Sequence, residues 1–109
     1  MTTPSDARVV LVTAPDLEVA RQLARTLVSE ARIACANVVP GLESIYRWEG
    51  EVQVDAEVLL ILKTTAAQVD AVAARVKDLH PYELPEVIAL PIEGGSAGYL
   101  DWIRTESTG

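Results

Sequence analysis

The spacing of apolar residues in the first third of the chain predicts a strand followed by a helix. Residues 8–13 form a β-branched apolar run that ends before Pro15, as expected of a central strand covered on at least one face. Asp16 then stands where an N-cap is needed, and apolar side chains recur after it at helical intervals. The predicted helix buries one face, formed by Ala20, Leu23, Ala24, Leu27, Val28 and Ala31.

The apolar period changes from 3.6 to 2 after residue 32, which predicts two strands joined by a turn. Residues 33–48 form the outgoing strand, with a corner or bulge at Pro40 and Gly41. Glu49 and Gly50 supply the turn, since glycine adopts positive φ at little cost. The returning strand first alternates and then becomes continuously apolar from residue 58 to residue 62. Its alternating part is predicted to place apolar side chains toward the core, namely Val52, Val54, Ala56 and Val58, and polar ones away from it, namely Glu51, Gln53, Asp55 and Glu57. A strand that starts half-exposed and ends buried predicts a long hairpin whose tip projects beyond the body of the domain.

A second amphipathic helix is predicted after the hairpin. Thr65 followed by Gln68 matches a capping box. The helix should end near His80, because Pro81 disfavours the helical conformation of the residue before it. Its apolar face comprises Val69, Val72, Ala73, Val76 and Leu79.

The last third of the chain completes an alternating order of elements. Residues 87–92 predict a short strand that Pro91 places near a sheet edge, and residues 99–103 a final short helix. The order is that of an α+β, ferredoxin-like βαββαβ sandwich with a long hairpin between its second and third strands and a short C-terminal helix. We expect a single domain over residues 1–109, with residues 1–7 frayed. Two helices on one face of the sheet leave the other face to water, a ligand or another copy of the chain.

The charge balance argues against nucleic acid as a partner. The 109 residues carry 9 Lys and Arg against 16 Asp and Glu, a net charge of −7, and no basic cluster that could neutralise phosphates. Cations are the compatible partners.

The longest apolar run, residues 58–62, is far shorter than the roughly 20 residues that span a bilayer, so no membrane association is predicted. One cysteine cannot form an intramolecular disulfide and no signal segment is recognisable, so we expect a reducing, cytoplasmic compartment.

Cys35 and His80 are the residues with metal-binding or catalytic chemistry. Cys35 lies in an alternating apolar segment, where a free cysteine is either a small buried hydrophobe or a soft ligand. His80, the only imidazole, either sits at the negative end of a helix dipole or binds a metal together with Glu83 and Glu86. One His and one Cys cannot complete a tetrahedral zinc site, so such a site needs carboxylates, water or a second chain. His80 and Glu83 as an acid–base pair have no further catalytic partner, and we expect no enzymatic activity.

The aromatic residues are confined to the hairpin and the C-terminal third, outside both main helices. This distribution indicates an inter-subunit surface or pocket rather than the helix-backed core. Lys63 follows the buried strand and either caps it or places a positive charge at the rim of a cleft. The aromatic residues are Tyr46, Trp48, Tyr82, Tyr99 and Trp102.

Five separated motifs follow one another along the chain: C-A-N-V-V-P-G, S-x-Y-x-W-x-G, K-T, H-P-Y-E-x-P-E and Y-L-x-W-I. In order and spacing they resemble the CutA family of divalent-cation tolerance proteins, over roughly residues 9–103. The resemblance implies a ferredoxin-like subunit in a tight homotrimer, a role in divalent-metal tolerance, and binding of copper or a similar ion in a cleft between subunits. Some members have a cysteine in the first strand, which this chain lacks, so Cys35 and His80 remain the principal candidates. The family's motif positions here are Cys35, Tyr46, Trp48, Lys63, His80, Tyr82, Glu83 and Trp102.

Two functions follow from these residues and from the resemblance. In the first, a homotrimer binds a divalent metal ion through His80 and Glu83, assisted by Cys35; copper is favoured by the Irving–Williams order, with zinc as the alternative. In the second, a PII-like trimeric sensor holds an anionic metabolite in the inter-subunit cleft through Lys63, Tyr46 and Trp48.

Overall fold

The computed structural model describes residues 6–109, which form an α+β fold with a four-stranded antiparallel sheet and three α-helices. This confirms the predicted order of strands and helices. None of the helices in this range is long and apolar enough to cross a membrane. The strands are β1 (Ala7–Ala14), β2 (Cys35–Trp48), β3 (Glu51–Thr65) and β4 (Ile88–Pro91). The helices are α1 (Leu17–Ser29), α2 (Val69–Leu79), preceded by a 3₁₀ turn at Ala66–Gln68, and α3 (Ala97–Glu106).

The strand order of the sheet is β2-β3-β1-β4, with β4 at one edge as its proline predicts. Val10 of β1 pairs with Leu62 of β3 and Ala89 of β4, and every pairing in the sheet is antiparallel. Because side chains alternate along a strand, Val10 and Val12 point to one face and Leu11 to the other.

Helices α1 and α2 cover one face of the sheet and form the main core with it. Asp16 caps α1 by accepting a hydrogen bond from the Val19 N–H at 2.8 Å. Full burial of each large aliphatic side chain in this layer stabilises the fold by roughly 1.5–3 kcal/mol. The fully buried members include Val10, Val12, Leu23, Leu27, Leu60, Leu62, Val72 and Val76.

The opposite face of the sheet is only partly covered, by α3. Ile103 of α3 is fully buried and packs with Ala7 and Ala34 in a second, small cluster. Elsewhere on this face, apolar side chains such as Ile88 and Leu90 are about half exposed. Part of the face therefore carries apolar side chains that the three helices do not cover.

A β-bulge divides β2 into two segments. Val39 pairs with Leu59, but Leu42 pairs with Glu57, so the outgoing strand carries one residue more than its partner. Gly41 in the bulge has φ of +86°, a conformation that glycine adopts readily. The predicted bulge at this position is confirmed.

The tip of the β2–β3 hairpin projects from the body, as predicted, and the molecule is 48 Å long on its longest axis. Glu49 and Gly50 at the tip both have positive φ, as a two-residue type I′ turn requires. The prediction that Val52 and Val54 point into the core was wrong. They share the face of Val58, but the helices do not reach the tip, and their exposed fractions are 66% and 58%.

Other predictions fail at element ends. Helix α1 ends at Ser29, so Ala31, with φ of +56°, lies outside it, and Val28 is exposed instead of buried. Thr65 makes no side-chain capping bond to the 3₁₀ turn. Glu57 lies on the face opposite Val58, as the alternation predicts, but it is buried there.

The segment predicted to be frayed, residues 1–7, falls mostly outside the described residues. Its last two residues are ordered: Ala7 opens β1 and is buried, and Asp6 accepts a hydrogen bond from Arg104 Nε at 3.1 Å.

Candidate functional site

A cleft of about 700 Å³ lies where the base of the hairpin meets the segment that follows α2. A volume of this size is typical of small-molecule sites. Three of the aromatic residues singled out in the sequence converge on it, as does Glu83. The lining residues are Thr13, Ser44, Ile45, Tyr46, Trp48, Glu57, Pro81, Tyr82, Glu83, Leu84 and Glu86.

His80 lies behind this cleft as the C-cap of α2 and is buried. Its Nε2 is 2.7 Å from the carbonyl oxygen of Thr13, which can only accept, so Nε2 carries the proton. Its Nδ1 accepts a hydrogen bond from the Tyr82 N–H at 3.1 Å. Both nitrogens are engaged, and the imidazole thereby fixes the start of the cleft-lining segment against β1.

Tyr82 continues this chain of contacts into the cleft. Its ring centroid is 4.6 Å from that of His80, and its hydroxyl donates to Glu57 Oε2 at 2.8 Å. Burial, followed by this hydrogen bond to a carboxylate, raises the pKa of Tyr82 far above its ordinary value. Tyr82 is therefore a neutral hydrogen-bond donor at any physiological pH.

The hairpin contributes Tyr46 and Trp48, which point to the same face of the sheet because they lie two residues apart on β2. The Tyr46 hydroxyl donates to Asp55 on the neighbouring strand. This bond, with partial desolvation, raises the pKa of Tyr46. Both rings remain exposed over part of their surface.

The cleft is acidic. Its described lining includes the carboxylates of Glu57, Glu83 and Glu86 and no Lys or Arg side chain. A cavity with this lining favours cations over anions.

A second cluster of predicted site residues lies on the same face of the sheet but away from the cleft. Lys63 donates to Cys35 Sγ at 3.7 Å and also to Asn37. The Tyr99 hydroxyl is 3.7 Å from the same sulfur. The bond to Cys35 and burial raise the pKa of Tyr99, so the hydroxyl stays protonated and neutral. Trp102 packs against Tyr99 with ring centroids 5.4 Å apart.

The predicted metal ligands therefore fall at two places. His80 contacts Thr13, which pairs with Leu59 of β3, whereas Cys35 pairs with Lys63 of the same strand. Leu59 and Lys63 are four residues apart, so at a strand rise of 3.3 Å per residue the two places are separated by about 13 Å along β3. Within residues 6–109, no three His, Cys, Asp or Glu side chains form a group that could hold a metal ion.

Some contributors to these sites were missed from the sequence. Glu57 lies on the face predicted for it, away from the helices, but its burial at the cleft was not predicted; its position at the point where alternation gives way to a continuous apolar run was a usable signal. Asn37, which meets Lys63, was not singled out, and Tyr99 was assigned to a surface or pocket without its contact to Cys35. Asn37 and Tyr99 are separated along the chain by 62 residues, and no local pattern links them.

Sequence comparison identifies close relatives. The family model described as CutA1 divalent ion tolerance protein matches residues 8–106. The chain is 56% identical over 101 residues to the divalent-cation tolerance protein CutA of Thermus thermophilus, covering 93% of this chain and 97% of that protein. It is 43% identical over 106 residues to the human protein CutA, covering 95% of this chain but 59% of the human protein. The chain thus spans nearly all of the bacterial relative and little more than half of the human one.

Solved structures agree with the sequence relatives. The Thermus thermophilus divalent cation tolerance protein superposes with a TM-score of 0.92 at 53% identity, over 94% of this chain and 99% of that one. CutA1 from Oryza sativa superposes with a TM-score of 0.93 at 48% identity, over 98% of both chains. On these matches and on the five motifs, the chain belongs to the CutA1 divalent ion tolerance family.

Proposed function

We propose that this protein acts in divalent-cation tolerance by binding the metal ion, as a homotrimer, in a cleft between subunits. The observation that carries the proposal is the acidic cleft, whose described lining holds three carboxylates and no Lys or Arg side chain. The role is one of binding without catalysis, in the cytoplasm, where a reducing environment keeps the free thiol of Cys35 intact.

The trimer is supported by the apolar surface that the subunit leaves open. The strand order β2-β3-β1-β4 with two helices on one face agrees with the expected ferredoxin-like subunit, and the other face exposes Val39, Ile88 and Leu90. Exposed apolar surface of this kind marks protein interfaces in soluble proteins. The projecting hairpin adds exposed Val52 and Val54, which another subunit would cover.

A partner subunit also completes the metal site. Since residues 6–109 contain no three-ligand group, the carboxylates of Glu83 and Glu86 at the cleft need ligands from a second chain. His80 joins the ion only if it releases the Tyr82 N–H or the Thr13 carbonyl, and Cys35 only from a separate, softer site. Among ions offered to such a site, copper binds most tightly and zinc follows, by the Irving–Williams order.

Isothermal titration of the purified protein with copper and with zinc tests the proposal. Glu83→Gln should weaken binding, whereas Glu18→Gln, which removes an exposed acid of α1, should leave it unchanged. Sedimentation of the same samples should give three times the chain mass of 11.7 kDa. Equal binding by both variants, or a monomer that binds metal normally, would refute the proposal.

The alternative, a PII-like sensor of an anionic metabolite, requires a positive group at the cleft, and the described lining of the cleft contains none. Lys63 lies in the second cluster, where its ammonium group donates to Asn37 and Cys35. A thermal-shift screen separates the two functions, because a ligand at 100 times its Kd stabilises the protein by about 2.7 kcal/mol. Stabilisation by metals alone supports the metal proposal, and stabilisation by anionic metabolites alone supports the sensor.

A further inference from the structure

The walls of the cleft are aromatic and aliphatic as well as acidic, which a metal ion does not explain. Tyr46, Trp48 and Tyr82 line it and are 42%, 44% and 36% exposed as residues, and Leu84, also in the lining, is 73% exposed. Large apolar side chains gathered around a cavity with a few polar groups are typical of a site for an organic ligand.

Glu57 provides a charge that needs a cationic partner. Its exposed fraction is 8%, and it forms no ion pair with any residue between 6 and 109. The Tyr82 hydroxyl donates to one of its oxygens at 2.8 Å, but a neutral donor leaves the negative charge in place. Burial of a carboxylate costs several kcal/mol unless a positive group pairs with it, so this position favours a ligand with an ammonium group.

We propose that the cleft binds a linear polyamine, with one ammonium group at Glu57 and the next at Glu83 or Glu86. The methylene segments between the ammonium groups would then lie against the faces of Trp48 and Tyr82, where cation–π attraction adds to apolar contact. A metal ion would satisfy the carboxylates but leave the rings in water, and an uncharged aromatic ligand would leave Glu57 unpaired. The proposal does not depend on metal binding, and it is tested with a chelator present.

Calorimetric titration of the whole protein at about 0.15 M salt, with EDTA, tests the ligand class. Spermidine should bind at least tenfold more tightly than hexaamminecobalt(III), which has the same charge but no methylene chain. A neutral diol of the same length should give no binding. Equal affinity for the two trivalent ions would mean that the surface attracts any counterion, and no heat with spermidine would mean that a neighbouring subunit fills the cleft; either result overturns the proposal.

Substitutions locate the ligand. Glu57→Gln keeps an oxygen that accepts from Tyr82 and should weaken spermidine binding roughly 10- to 100-fold, the loss expected for a charge-assisted hydrogen bond. Glu106→Gln removes an exposed charge of α3, outside the cleft, and should change the affinity less than twofold. Equal losses in the two variants would refute the site.

The two tryptophans give an independent reading that does not rely on a buried substitution. Trp48 lines the cleft, whereas Trp102 packs on Tyr99 in α3. Spermidine should therefore change the fluorescence of Trp102→Phe, which retains Trp48, and leave that of Trp48→Phe unchanged. The opposite pattern, or the same response in both variants, would place the ligand outside the cleft.

Discussion

Replacing His80 by alanine removes the group that ties the end of α2 to β1 and to the cleft. The imidazole Nε2 donates to the Thr13 carbonyl at 2.7 Å, and Nδ1 accepts from the Tyr82 N–H at 3.1 Å. The imidazole ring also packs against the ring of Tyr82, which in turn holds Glu57. We therefore expect the substitution to loosen one wall of the cleft as well as to destabilise the fold.

The size of the effect follows from these contacts. Each hydrogen bond contributes about 1 kcal/mol net, and a carbonyl left unsatisfied in a buried position costs about 1–3 kcal/mol. Thr13 is buried, so we expect its carbonyl to remain without full hydration when the imidazole is lost. The free energy of unfolding should fall by about 2–4 kcal/mol. His80→Gln, whose amide offers both a donor and an acceptor, should recover part of this loss.

Urea denaturation in EDTA, at one fixed protein concentration, measures the change, because the stability of an oligomer depends on concentration. In a parallel experiment with copper in place of EDTA, the ion should stabilise wild-type protein and His80→Ala by equal increments, since a positioning residue does not ligate the ion. The reasoning fails if His80→Ala unfolds within about 0.5 kcal/mol of wild type in EDTA yet loses its stabilisation by copper. That result would make His80 a metal ligand.

Three further substitutions test the fold. Leu60→Ala empties a fully buried position between the sheet and the helices and should cost about 2–5 kcal/mol in urea denaturation; a loss below 1 kcal/mol would contradict the assigned core. Glu49→Asn places a residue that tolerates positive φ at the hairpin tip and should raise the free energy of unfolding by up to ~1 kcal/mol, whereas a loss would argue against the type I′ turn. The hydrogen bond from Arg75 lowers the pKa of Glu30. The Glu30–Arg75 pair therefore stabilises the fold fully above the ordinary carboxyl pKa of 4.5, and this stability is lost as pH falls through the lowered pKa of Glu30. Unfolding free energy should thus fall more steeply below pH 4.5 in wild type than in Glu30→Gln, and parallel curves would show that the ion pair is not formed in solution.

Local periodicity was sufficient to predict the elements but not how far each is covered. The alternation of Val52, Val54 and Val58 correctly assigned them to one face of β3. Only Val58 is buried, however, because burial depends on where α1 and α2 end in space, which a strand pattern does not encode. Ala31 fits the helical period but lies past the end of α1, since its backbone turns to positive φ.

The candidate site shows the same division. Tyr46, Trp48 and Tyr82 could be assigned to a cleft because they avoid the helices and recur in family motifs. The partners of His80 could not be predicted, because the Thr13 carbonyl lies 67 residues away and belongs to the backbone. The separation of Cys35 from the cleft likewise depends on strand register, which only the folded sheet fixes.

The extra residue in the bulge of β2 decides which way the hairpin faces. Side chains alternate with a period of two, so if residues 40 and 41 paired as regular strand, every later position of β2 would shift by one step against β3. Tyr46 would then lie opposite Val52 on the other surface, and Ile45 and Arg47 would take the places of Tyr46 and Trp48. A single-codon deletion at Pro40 or Gly41 would instead leave Leu42 opposite Glu57 and Tyr46 opposite Gln53, so the hairpin tolerates the loss of the extra residue but not its straightening.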